Sequence, residues 1–164
     1  MPQVETVRFG ILDVPEADVI EFRRGLLGFE SLTRYVHIER DAEAPFGWLQ
    51  SLDDPSVVFV VANPAVFFPN YEVQIDPREL GDVCPGPNDR LMVLGICTIP
   101  GAFADIRMNL QGPLAINSST GRGKQLVLNR SPYRTQHRLA DTQAASSKDI
   151  VPKLWKRKAH LRSA

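Results

Sequence analysis

The chain has 164 residues, 43% of them apolar, with 19 Lys and Arg balanced by 19 Asp and Glu. That length suits one domain able to bury a core without a metal or a disulfide. No apolar run approaches the ~18 residues of a transmembrane helix, and Met1-Pro2-Gln3-Val4-Glu5-Thr6-Val7-Arg8 has no apolar signal-peptide core, so the expected location is the cytoplasm.

The charge is unevenly distributed. Residues 1–140 carry 13 Lys and Arg against 17 Asp and Glu, a balance of −4, and residues 141–164 carry 6 against 2, a balance of +4. A mildly acidic body is tied to a basic tail. The two cysteines, Cys84 and Cys97, match no zinc spacing, and neither is expected to have a chemical role.

Taken in order, Val4–Val14 alternates in part, with Val7, Phe9 and Ile11 on one face. Val19–Phe22 reads as a short strand, followed by Gly25 and Gly28 at sharp bends. Tyr35–Glu39 alternates cleanly, and its Tyr35, His37 and Glu39 read as a solvent-facing stripe. Phe46–Leu52 and Val57–Ala62 are strands rich in β-branched and aromatic residues. Asn63-Pro64 and Pro69-Asn70 bracket a loop, and Tyr71–Ile75 suggests another short strand. Asp76 followed by Pro77 predicts one helical turn, with Asp76 as its cap. Leu91–Ile99, the longest apolar run, suits a strand buried on both faces. Phe103–Leu110, Leu114–Asn117 and Lys124–Leu128 continue the pattern, the last two joined by a Gly-containing loop as a hairpin. Strands at this spacing predict an all-β, mainly antiparallel domain over 1–140, barrel-like or sandwich, with at most one short helical turn. Residues 141–164 read as a polar linker and a basic tail, flexible and solvated.

Little here asks for catalysis or a cofactor. Thr120-Gly121-Arg122-Gly123-Lys124 lacks the first glycine of a phosphate-binding loop, and Gln125 replaces its hydroxyl residue. Asp53-Asp54 precedes a proline and reads as a turn. His37, His137 and His160 have no ligand spacing, and no Gly-x-Ser-x-Gly elbow occurs. The expectation is a non-enzyme without cofactor or metal. An acidic body argues against direct nucleic-acid binding by the domain, although Lys153–Arg162 could add weak electrostatic affinity.

Four segments, in order, carry a family resemblance. Phe22-Arg23-Arg24-Gly25-Leu26-Leu27-Gly28-Phe29-Glu30 resembles a Phe-x-x-Gly-Leu-Pro-Gly-Phe-Glu stretch. Phe46-Gly47-Trp48-Leu49-Gln50-Ser51 resembles Pro-Phe-x-x-Leu-Gln-Ser, and Asn63-Pro64 with Pro69-Asn70-Tyr71-Glu72 resembles Asp-Pro…Pro-Asp-Tyr-Glu. Met108–Asn117 with Lys124–Leu128 resembles the hairpin Thr-Asn-Leu-x-Ala-Pro-Ile-x-Ile-Asn…Gln-x-Val-Leu. Together these resemble the flagellar assembly factor FliW family. Leu27, Asn63 and Gly112 depart from the usual Pro, Asp and Ala, all at turns, and the tail has no counterpart.

The resemblance implies a cytoplasmic binding protein, monomeric when free, that holds flagellin before export. It also implies antagonism of CsrA, a small RNA-binding translational repressor. An acidic body suits a basic partner, since complementary charge speeds encounter. Two loops are candidates for partner contact. Phe67, Phe68, Asn70 and Tyr71 concentrate aromatics between turns, although Phe67 and Tyr71 could equally plug one end of the barrel. Asn117, Ser118 and Arg122 belong to a polar loop. The alternative function is a small β-barrel that binds or transforms a small molecule in its interior.

Overall fold

The alternating segments pair into two sheets in a computed structural model that describes residues 2–101, 105–129 and 131–139. β1 (Gln3–Thr6) and β2 (Gly10–Asp13) form an antiparallel hairpin of their own. The other strands are β3 (Val19–Phe22), β4 (Arg34–Glu39), β5 (Phe46–Ser51), β6 (Val58–Ala62), β7 (Leu91–Thr98), β8 (Arg107–Met108), β9 (Leu114–Asn117), β10 (Arg122–Gln125) and β11 (His137–Arg138).

Seven of these close into a barrel in the order β3-β4-β5-β6-β7-β9-β10 and back to β3. Every pairing is antiparallel except the last, where β10 runs parallel to β3. β7 is long enough to serve several neighbours. Leu91–Leu94 pair with β9, Val60–Ala62 of β6 pair with Gly95–Cys97, and Cys97-Thr98 pair with β8. β11 then extends this sheet beyond β8. The all-β, mainly antiparallel barrel expected from the strand spacing is what forms.

The core has an inner layer and an outer one, and the outer one comprises two clusters, the smaller of which holds Leu80, Val83, Ala115 and Leu126. Ile20, Phe22, Leu26, Tyr35, Leu49, Val61, Leu94, Leu114 and Ile116 fill the inside of the barrel. A ligand in the interior would have to displace them, which counts against the small-molecule alternative. A second cluster lies on the outer face, built on Phe46, Trp48, Ala62, Phe67, Cys97, Ile106, Met108, Leu110 and Leu139. The two layers explain why all six residues of β5 are buried. Its inward Leu49 joins the first cluster, and its outward Phe46 and Trp48 join the second. Phe9 of the hairpin turn covers Trp48 edge-on at 5.6 Å, and Phe67 covers Phe46 at 5.4 Å.

Several details differ from the sequence reading. The strands buried along their whole length are β5 and β9 rather than Leu91–Ile99, where only Leu94, Gly95 and Cys97 are buried between Leu91 and Thr98. Apolar run length measures composition, whereas double burial needs a second layer of chain outside the barrel. The Tyr35-His37-Glu39 stripe does not face solvent throughout. Tyr35 points into the barrel against Phe22, with ring centroids 5.6 Å apart, His37 is largely buried, and Glu39 alone is well exposed. Val4–Val14 folds back on itself rather than running as one strand, which leaves Val7 and Ile11 exposed. Tyr71–Ile75 forms no strand.

Asp76 caps the expected helical turn, α2 (Pro77–Leu80), accepting the Arg78 N–H at 2.9 Å. A second turn, α1 (Pro64–Phe67), uses the same device, with Asn63 accepting the Ala65 N–H at 3.0 Å. That is one four-residue turn more than the sequence predicts. The tail expected over 141–164 lies outside the described residues.

Leu49 is wholly buried inside the barrel, so Leu49→Ala leaves a cavity. It is expected to cost about 2–5 kcal/mol, read as a lower denaturant midpoint at unchanged slope. Val66→Ala, at an exposed position, is expected to stay within about 0.5 kcal/mol of the parent.

Candidate functional site

One end of the barrel is built around Asn117, the last residue of β9. Its side chain is fully buried and uses both of its polar atoms. Nδ2 donates to the Val83 carbonyl at 3.3 Å and to Asp89 Oδ2 at 3.1 Å. Oδ1 accepts from the backbone N–H groups of Ser119 at 3.1 Å and Thr120 at 3.3 Å. Asn117 therefore shapes the turn into β10 and ties it to the 83–89 segment. Asp89, bonded by the Gly86 N–H and by Asn117, has its pKa held below the usual carboxylate range. Ser118, Ser119 and Thr120 stand out to solvent beyond this support. The Ser118 N–H donates to the Arg90 carbonyl at 3.1 Å.

Arg122 does not reach freely into solvent. It pairs with Glu21 of β3, and Arg23 lies 3.5 Å from the same carboxylate and 3.2 Å from Asp82. Two clefts of about 280 and 300 Å³ open at this end, and His37 and Met92 line both. Burial lowers the His37 pKa against the opposing pull of Glu39, whose carboxylate is 3.5 Å away.

The aromatic loop after α1 lies against the outer cluster. Phe67 is buried in that cluster, and Phe68 and Tyr71 are half-buried. The Tyr71 hydroxyl donates to the Leu110 carbonyl at 2.8 Å, and its ring meets Tyr133 edge-on at 4.5 Å. Burial, followed by Tyr133, raises the Tyr71 pKa. The Glu72 N–H donates to the Tyr133 hydroxyl at 3.1 Å, and Phe68 packs on His137 at 5.8 Å. The Arg134 N–H donates to His137 Nε2 at 2.8 Å, which requires that nitrogen to be unprotonated. The His137 pKa is accordingly lowered, by burial and then by the charge of Arg134.

A larger surface feature lies alongside β10. A groove of about 550 Å³ runs between Arg23–Leu27, the Glu79–Asp82 turn and Gly123–Val127. Leu27 is 63% exposed and Val127 49%. Gly25 makes the loop possible: its φ is +64°, and a Cβ there would lie 2.6 Å from the Glu30 backbone. Gln125 clamps the loop from the hairpin. Its Oε1 accepts the Leu27 N–H at 2.8 Å, and its Nε2 donates to the Gly112 carbonyl at 3.0 Å. An apolar Leu27 in a Gly-rich loop was the available signal, since a loop that only turned would not need it.

The seven residues singled out thus divide by role. Phe67 and Asn117 are buried supports, Phe68, Tyr71 and Arg122 are half-engaged in the fold, and Asn70 and Ser118 present surface. Each loop makes its own set of contacts. Among the described residues no group of three or more His, Cys, Asp or Glu is placed to hold a metal.

The model of the family described as FliW protein matches residues 3–139. The chain belongs to the FliW family. It is 38% identical over 145 residues to the flagellar assembly factor FliW of Treponema denticola, covering 87% of this chain and 97% of that protein. It is 34% identical over 135 residues to the FliW of Alkaliphilus metalliredigens, covering 82% and 83%. A crystal structure of the flagellar assembly factor FliW superposes with a TM-score of 0.77 at 32% identity, over 84% of this chain and 96% of that one. The FliW resemblance read from four motifs is therefore correct, and those motifs sit at the two barrel ends, in β5 and around α1. No described helix is long and apolar enough to cross a membrane.

Asn117→Ala removes four hydrogen bonds and leaves buried groups without partners. It is expected to cost about 1–3 kcal/mol or more, whereas Ser118→Ala should change stability by less than about 0.5 kcal/mol; denaturant titration of both separates support from surface. His37 and His137 both have folded pKa values below the ordinary 6.5. The unfolded chain then binds more protons, so their contribution to stability is complete above pH 6.5 and is lost as pH falls through the folded values. Denaturation midpoints across this range should drop on acidification, and a His37→Gln/His137→Gln double variant should show a flatter profile.

Proposed function

We propose that this protein is a non-enzymatic cytoplasmic regulator that binds flagellin before export, as a chaperone, and antagonises the translational repressor CsrA. In this way it couples flagellin synthesis to filament assembly. The observation that carries the reading is family membership over residues 3–139, shared with proteins named as flagellar assembly factors. The acidic balance of residues 1–140 supports it, because an RNA-binding partner is basic. The filled barrel interior supports a protein partner over a small ligand, since the available contact area is all on the surface.

The binding surfaces in this reading combine exposed and half-buried side chains. Leu27 and Val127, at the rim of the 550 Å³ groove, offer exposed apolar contact area ringed by charged side chains, an apolar centre with a polar rim. Phe68, Asn70 and Tyr71 form a second surface, and Ser118 with Arg122 a third, with Phe67 and Asn117 holding them in place. The free protein acts as a monomer and needs no cofactor.

The test is calorimetric titration of the purified full chain with flagellin and with CsrA from its own organism. Binding to both is expected. A sample whose near-ultraviolet dichroism reports a packed Trp48, yet which binds neither, overturns the proposal. Leu27→Asp is expected to weaken at least one of the two complexes about tenfold or more, or ~1.4 kcal/mol, without lowering thermal stability.

A further inference from the structure

The β1–β2 hairpin has an outer face that the barrel does not use. Its inward side is accounted for: Thr6 is buried, Val4 and Leu12 are half-buried, and Phe9 of the turn rests on Trp48. Its outward side carries Gln3, Glu5, Ile11 and Asp13, all exposed, with Glu5 directly opposite Ile11 and Gln3 opposite Asp13. Val7, at the turn, is 62% exposed and Ile11 64%. The hairpin's one basic residue, Arg8, lies with its guanidinium 4.3 Å from the Trp48 ring centre. Just beyond β2, Glu16 and Asp18 are exposed as well, and Glu16 is met by Arg34 at 3.3 Å. Two large aliphatic side chains therefore stand in water among carboxylates.

We propose that this face is the docking site, in cis, for the chain's own segment Lys153-Leu154-Trp155-Lys156-Arg157-Lys158. Three observations lead there. The segment has the complementary make-up, four basic residues around Leu154 and Trp155; the apolar pair would cover Val7 and Ile11 while the cations meet Glu5 and Asp13. The two parts carry opposite balances, −4 for residues 1–140 and +4 for 141–164, so they attract one another. The geometry of departure fits too. Leu139, the last described residue before the tail, and Phe9 of the hairpin turn belong to the same outer cluster. The chain therefore leaves the body on the face where the hairpin sits.

Thirteen residues, 140–152, separate that point from Lys153. Extended, they span up to about 45 Å, against a radius of gyration of about 14 Å for a body of this size. The linker reaches the face easily, and tethering makes the local concentration of the segment high.

The chain's two tryptophans make the test direct. Trp48 is buried, so emission that acrylamide can quench reports Trp155 in the full-length protein. The wild-type chain is expected to show Trp155 protected. The Val7→Ser/Ile11→Ser variant, altered only at exposed positions, is expected to lose that protection. Lys156→Glu/Arg157→Glu, which leaves the barrel untouched, should lose it too, and high salt should weaken it. The proposal is overturned if Trp155 is quenched as freely in the wild type as a free tryptophan amide. Such a result would leave the face to a separate protein. Equal protection in wild type and hairpin variant also overturns it, by placing the segment elsewhere. Protection that grows with protein concentration makes the face a contact between copies and removes the cis contact.

Discussion

Closure of the barrel rests on two residue pairs. β10 meets β3 through Arg122 opposite Glu21 and Gly123 opposite Phe22, the one parallel pairing in the sheet. Phe22 is wholly buried, and a Cβ on Gly123 would lie 2.6 Å from its ring. A side chain there could be housed only by expelling Phe22 from the interior or parting the strands. The Glu21 N–H donates to the Gly121 carbonyl at 2.8 Å, and the Arg122–Glu21 ion pair spans the same junction. Without this seam β3 and β10 would be open edges, with unpaired backbone groups inviting other chains.

The signature hairpin holds that seam in place from both sides. Asn117 folds the turn that delivers β10, and Gln125 reaches from its far end to the Leu27 loop and Gly112. Asn109 completes the set, its Oδ1 accepting the N–H groups of Gln111 at 3.1 Å and Gly112 at 2.8 Å. Each of these polar side chains bonds backbone groups of the loops around it. Their work is to satisfy groups that loop geometry would otherwise bury without partners. It follows that a family resemblance can be firm at residues whose work is to hold the fold.

Strand positions and the barrel class were legible because alternation and turn residues are local signals. What was not legible depended on a second layer of chain. The double burial of β5 comes from Phe9 and Phe67 arriving from other segments, and nothing in Phe46–Ser51 announces them. Tyr35 and His37 alternate correctly, yet a period of two names two faces and does not say which is inside. The parallel β3–β10 pairing joins residues about a hundred positions apart, beyond any local pattern. Among the candidate contacts, exposure was hardest to read. Phe67 looked like Phe68, and burial separates them. Asn117 has the make-up of a loop residue and is a support, and the Leu27 groove lies in a motif whose glycines signal only turns.

The molecule that results separates shape from recognition. Buried polar side chains and the Phe22–Gly123 contact define the barrel, and apolar side chains at Leu27 and Val127 are left exposed outside it. The most direct measurement of the central claim is amide hydrogen exchange on the full chain and its Gly123→Ala variant. If closure depends on this seam, the amides of β3 and β10 lose protection together in the variant, while β4–β6 retain theirs under mild conditions. Unchanged protection in both strands would contradict the account, because it would mean the barrel closes without needing the space that Gly123 leaves for Phe22.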